Sequence, residues 1–168
     1  RVSKTTWADL RAQCRSKPTA SDPKGYEIPT LDATLEAIAA ASPTAWVFLE
    51  VKTDETVARL EQLLATPAKY GLSERTVWTS FSKTRLARLH DLSPRARLML
   101  FVDGKQASGL NDDYLWAVAV NQSIATPSYV TKLKASGLTV LVWNPNEPQA
   151  WAAAGKPLAA DEGEPTVI

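Results

Sequence analysis

Five short runs rich in Val, Leu and aromatic residues recur along the chain: WVFLEVK (46–52), TVWTSF (76–81), RLMLFV (97–102), WAVAVN (116–121) and TVLVWN (139–144). A weaker sixth, PLAA, occupies 157–160. Polar or chain-breaking residues flank each run. Short, nearly continuous apolar runs of this kind are the pattern of strands buried on both faces of a parallel sheet. Their starts at 46, 76, 97, 116, 139 and 157 set a beat of roughly 20–30 residues, which leaves room for one helix per interval. The fold class is therefore α/β. Two architectures fit the beat: an open doubly wound sheet, or a (β/α)8 barrel lacking its first strands, since a whole barrel takes about 250 residues.

The intervals carry helical patterns. DETVARLEQLLATPAKYG (54–71) places Val57, Leu60, Leu63 and Leu64 on one stripe and stops at Gly71. SKTRLARLHDLSP (82–94) spaces Leu86 and Leu89 three apart. TPSYVTKLKASG (126–137) has Thr126 as N-cap, Pro127 at the first helical position and Gly137 as C-cap. EPQAWAAAG repeats the logic up to Gly155. Residues 1–45 differ, with two helical segments and no convincing strand. TTWADLRAQ opens at Thr6 with Asp9 three residues on, PTLDATLEAIAAA opens at Thr30, and a Pro/Gly-containing loop joins them. The organisation expected is a helical lead-in over 1–45 followed by repeated strand–helix units over 46–168.

Bulk properties narrow the function classes. With 45% hydrophobic and 22% charged residues, the 168-residue chain reads as a soluble globular protein with one ordinary core. A net charge of +1 provides no basic stripe for nucleic acid, and no apolar run approaches a membrane span. No secretory leader is apparent, and the compartment is left open. The first residue is Arg1 rather than Met, as in a processed product or an excerpt. Cys14 is the single cysteine, so an internal disulfide is excluded. A nucleophilic Cys14 would need the single histidine, His90, as its base; a small helical residue is the simpler reading.

The informative stretch is WVFLEVKTD. Alternation puts Trp46, Phe48, Glu50 and Lys52 on one face and Val47, Leu49 and Val51 on the other. The aliphatic face suits packing beneath helices. The other face ends in a carboxylate and an ammonium at the C-terminal tip, where barrels and open sheets alike bind ligands. Ser80, Asp103, Asn121, Trp143 and Asn144 cluster at the corresponding tips of the other strands. Two readings stand side by side: a ligand site, or a satisfied ion pair at the rim.

The ordered set EIPTLDATLEAI, VFLEVKTDE, TVWTSFSKTRLARLHDLSP and GLTVLVWNPNEPQAW resembles the glycerophosphodiester phosphodiesterase family over most of residues 5–165. The resemblance covers that family's C-terminal two-thirds, from the third barrel strand to the eighth. It implies a TIM-type barrel, a divalent cation (Ca2+ or Mg2+), and hydrolysis of a small glycerophosphodiester to an alcohol and glycerol 3-phosphate. By the same resemblance Glu50 is a metal ligand, Lys52 faces the phosphate, Phe81 is the aromatic of the Ser-Phe strand end, Trp143 lines the glycerol side, and Asn146 takes the place of a late asparagine.

The departures are as informative. The family's His-Arg-Gly and His-Asp motifs, which hold its acid and base, and its Glu-x-Asp metal pair have no counterpart here. The His90–Asp91 pair falls on the helix after TVWTSF, so a solvated or helix-capping role is expected. Asp103 in FVDGK reads as a turn residue rather than a ligand. Asp161 is the nearest counterpart of the family's closing Thr-Asp-x-Pro, in an acidic tail with Glu162 and Glu164. The expectation is a hydrolase segment that is inactive alone and either takes its missing strands from a longer polypeptide or a partner chain or leaves its own strands as an open sheet. The rival is a non-catalytic barrel-derived binding or structural module of a larger surface or virion assembly. A nucleotide-binding open sheet is disfavoured, because no Gly-rich phosphate loop follows any strand.

Overall fold

The apolar runs become strands. In a computed structural model the described residues are 5–14, 25, 27–104, 110 and 112–143. Five strands, β1 (Val47–Glu50), β2 (Thr76–Ser80), β3 (Arg97–Val102), β4 (Ala117–Asn121) and β5 (Thr139–Trp143), form one sheet in the order β1-β2-β3-β4-β5. Every neighbouring pair is parallel. Strand order that follows chain order without reversing has no switch point, so the winding is that of a barrel rather than a doubly wound sheet. The ring is not closed among the described residues. The sixth run, 157–160, and the helix expected before Gly155 lie outside them.

Helices fill three of the four crossovers among the described residues: α3 (Val57–Ala65) between β1 and β2, α4 (Lys83–Leu92) between β2 and β3, and α5 (Pro127–Ala135) between β4 and β5. Thr56, Ser82 and Thr126 cap them, each side chain accepting a backbone N–H of the first turn. The helix expected over 54–71 is broken in two. Pro67 lacks an N–H to continue α3, the Thr66 N–H falls back to the Leu63 carbonyl, and a 3-10 turn, Pro67–Tyr70, ends at Gly71 with φ 67°. Gly137 lies one residue past the cap of α5, at φ 80°, a left-handed position that suits glycine.

The chain divides into two compact units, Arg1–Ala41 and Ser42–Ile168. The first holds α1 (Trp7–Gln13) and α2 (Leu31–Ala41). The Thr6 and Thr30 hydroxyls accept N–H bonds from Asp9 and Ala33, as their positions in the sequence predict. Arg11 pairs with Glu27 at 2.9 Å. Cys14 is exposed and free. No helix among the described residues is long and apolar enough to cross a membrane.

In the second unit the sheet is apolar on both faces. The helix side buries Val51, Leu60, Trp78, Leu86, Leu89, Leu98, Leu100, Val118 and Val120 in one cluster, with Leu49 packed against it. Full burial of a Leu or Val contributes about 1.5–3 kcal/mol, so this layer is the main source of stability. The other face buries Val77, Met99, Ala117 and Ala119, with Trp46, Trp116, Phe101, Leu141 and Trp143 around them. Trp46 and Trp116 stack at 6.0 Å although β1 and β4 stand three strand spacings apart, about 14 Å in a flat sheet. The sheet therefore curls toward this second, concave face. Arg97 caps the stack from 5.2 Å.

Candidate functional site

The two faces of β1 divide as its alternation predicts. Leu49 and Val51 join the helix-side cluster, while Trp46 joins the concave one. Phe48, Glu50 and Lys52 follow Trp46 by period two. Lys52 Nζ lies 3.3 Å from Glu50 Oε2, the ammonium 74% exposed and the carboxylate 26% exposed. An ion pair this open contributes about 0–1 kcal/mol, so stability alone gives little reason to place it there.

Lys52 opens a short loop that is pinned to α4. Asp54 accepts from Arg85 at 2.9 Å, the Glu55 carbonyl accepts from Arg88 at 2.6 Å, and Thr53 donates to Glu55 at 2.6 Å. The helix α4 in turn packs on β2 and β3. The loop thus takes its position from the rigid part of the fold.

Across the sheet, Phe81 follows the last residue of β2 and meets two other aromatic rings. Its ring stacks on Phe101 at 4.8 Å and meets Trp143 edge-on at 5.6 Å; Phe101 and Trp143 are 5.9 Å apart. These rings come from β2, β3 and β5, so their meeting repeats at the C-terminal end the curl that Trp46 and Trp116 report at the other. The Trp143 Nε1 is buried without a hydrogen-bond partner among the described residues. A buried N–H left unpaired costs on the order of 1–3 kcal/mol, which makes it a donor in want of an acceptor.

Glu50, Lys52, Phe81 and Trp143 thus share the concave face at the C-terminal end of the sheet, with Glu50 on one edge strand and Trp143 on the other. Asn146 and Asp161 lie outside the described residues. Phe101 was not singled out in the sequence, although Arg97, Met99 and Phe101 alternate onto this face by the same period of two. Two tip residues have other duties. Asn121 Oδ1 accepts the Ser123 N–H and caps a 3-10 turn, Gln122–Ile124. Ser80, 0% exposed, points to the helix-side face and bonds the backbone. Asp103 precedes Gly104, whose φ of 91° is that of a turn.

His90 lies in the last turn of α4, the helix packed on β2 and β3. Its side chain is half-buried rather than fully solvated, and its carbonyl accepts the Ser93 N–H that closes the helix. Its ring stacks on Tyr114 at 5.4 Å and its Nδ1 is buried without a partner among the described residues. The segment carrying Tyr114 runs against α4, where Lys83 also pairs with Asp112 at 2.6 Å, and this covers one face of the ring. Burial, then the Asp112 charge, raises the Tyr114 pKa; burial alone raises that of Tyr129.

Glu50 offers carboxylate oxygen, the donor a hard cation prefers. Among the described residues, however, no group of three or more His, Cys, Asp or Glu comes together to hold a metal ion. One carboxylate already paired with an ammonium is too little for Ca2+ or Mg2+, so these residues alone do not fit the cation that the resemblance implies.

No protein-family model matches the chain, and no curated protein matches it. Solved structures do. A glycerophosphodiester phosphodiesterase from Parabacteroides distasonis superposes with a TM-score of 0.67 at 18% identity, over 88% of this chain and 61% of its own. A protein from Silicibacter pomeroyi, provisionally named a glycerophosphoryl diester phosphodiesterase, gives 0.72 at 21%, over 92% and 63%. A phosphodiesterase from Oleispira antarctica, in complex with the product sn-glycerol-3-phosphate, gives 0.55 at 20%, over 73% and 51%. The chain therefore spans half to three-fifths of the length of these proteins, and at such identities the likeness is one of fold.

Proposed function

From a fold shared with part of the glycerophosphodiester phosphodiesterases, we propose that this chain is the phosphate- and glycerol-binding part of a metal-dependent phosphodiester hydrolase. Its substrate class is the glycerophosphodiesters, with glycerol 3-phosphate as product. The observation that carries the reading is the Glu50–Lys52 pair on the concave face at the C-terminal end of a barrel-wound sheet.

Each residue has a role in this reading. Lys52 is the cation for the phosphoryl oxygens; its exposed ammonium can turn from Glu50 to a phosphate without breaking a buried contact. Phe81, Phe101 and Trp143 form the apolar wall for the glycerol carbons. The resemblance alone adds Asn146, outside the described residues, as a further ligand-binding side chain. Glu50 contributes one carboxylate to a Ca2+ or Mg2+ site whose other donors come from elsewhere in a longer polypeptide or from a partner chain.

Hydrolysis further needs a base for the attacking hydroxyl and an acid for the leaving alkoxide. The one histidine of the sequence, His90, lies on the helix side and can serve as neither. The 168 residues alone are thus expected to bind but not to turn over. This same observation favours the second reading, a non-catalytic binding or structural module.

Titration with glycerol 3-phosphate, followed by NMR at the Lys52 side chain, tests the proposal. Saturable binding that Lys52→Met weakens about tenfold is expected, the worth of one charge-assisted bond. Absence of binding, or binding indifferent to Lys52→Met, overturns the phosphate-site reading. Turnover of glycerophosphocholine by the isolated chain with Ca2+ would overturn the dependence on outside groups.

A further inference from the structure

Ser80 ends β2 with its side chain wholly buried. A hydroxyl there must be bonded or costs free energy. It donates to the Val51 carbonyl oxygen at 2.8 Å and accepts the Ser82 backbone N–H at 3.2 Å. Both bonds lie just beyond the regular ladder, whose last β1–β2 pair is Glu50 with Thr79. The Val51 N–H is itself bonded to the Thr79 carbonyl at 2.8 Å. Both backbone polar groups of Val51 are thereby fixed to β2, and they set the direction in which Lys52 leaves the strand. On the other side, Ser82 is held through its N–H while its own hydroxyl caps α4 by accepting from Arg85 N at 3.4 Å. Phe81 stands between the two anchored serines.

We propose that Ser80 is a positioning residue of the concave-face site: a single hydroxyl, on the opposite face of the sheet, fixes the aim of both Lys52 and Phe81. It touches no ligand. It couples the cation on the phosphate side to the aromatic wall on the glycerol side, so that neither moves alone. The functional meaning rests on the reading of Lys52 as a phosphate ligand; the coupling itself rests on the hydrogen bonds.

Ser80→Ala in the whole 168-residue chain separates these two layers. Backbone NMR of the unliganded variant is expected to show displaced Lys52 and Phe81 amides and faster exchange of the Ser82 amide. Glycerol 3-phosphate affinity should fall about five- to tenfold, the loss of one buried bond's worth of alignment. Val130→Ala, a cavity in the helix-side layer at α5, serves as a control that lowers stability without moving either amide. If Ser80→Ala does not fold, Ser80→Cys keeps the volume with a weaker donor, and the same readings apply. Unmoved Lys52 and Phe81 amides, or equal displacement by Val130→Ala, overturn the proposal. Displaced amides in a chain whose wild type binds no glycerol 3-phosphate uphold the coupling and sink the phosphate-site reading instead.

Discussion

Glu50 and Lys52 pose a problem of residue chemistry that a packing argument cannot resolve. Their pair is open to solvent, so neither side chain is needed to hold the sheet. Lys52→Met and Glu50→Gln are each expected to change unfolding free energy by under about 1 kcal/mol in urea titration. Leu98→Ala, at 0% exposure beneath the helices, is expected to cost about 2–5 kcal/mol. A large loss at Lys52 would mean that the pair is structural. At this scale the face of β1 was legible, because a period of two is fixed by backbone geometry and survives any tertiary context. Phe101 was legible by the same rule once Met99 is placed inside. The surroundings of His90 were not, because they depend on Tyr114, which approaches from 24 residues along the chain. No local pattern encodes that meeting.

At the scale of elements, the caps were the most readable feature, since a threonine hydroxyl bonding an N–H three residues on is a local event. Thr126→Ala should destabilise by about 1 kcal/mol, measured by thermal or denaturant unfolding. Gly137→Ala should also destabilise, by forcing a Cβ into φ 80°, even though no atom lies within 4 Å of it. The split of α3 at Pro67 was missed because the apolar stripe runs on past the residue that breaks the backbone ladder. The Tyr114 segment adds a pH dependence. Burial raises its folded pKa above the ordinary 10.0, so the unfolded chain ionises first. The resulting stability is present below pH 10 and is lost as pH rises through the folded value. Tyr114→Phe should flatten the decline in unfolding free energy between about pH 9 and 11; an unchanged slope would show that the ring is as free to ionise in the folded state as in the unfolded one.

On the scale of the molecule, the strand beat announced a one-way parallel sheet but left doubly wound and barrel windings both open; only the family resemblance pointed to the barrel. That choice depends on which strands become neighbours, a non-local fact, and the order β1-β2-β3-β4-β5 decides it. The same order leaves β1 with no strand beyond it among the described residues, and its concave face presents Phe48 at 37% exposure. An edge strand with an exposed aromatic is a template for further pairing. The curled sheet matches proteins that this chain covers by 61–63%; on the proposed reading, further strands pair at such an edge. Supplied without them, the chain is expected to associate. Sedimentation should show its mean mass rising between about 1 and 100 μM. Phe48→Lys should suppress that rise, because a charge on an edge strand opposes pairing. A wild-type chain that stays monomeric over this range and unfolds in one cooperative transition would mean that β1 needs no neighbour. The arc would then be a finished fold rather than part of a ring.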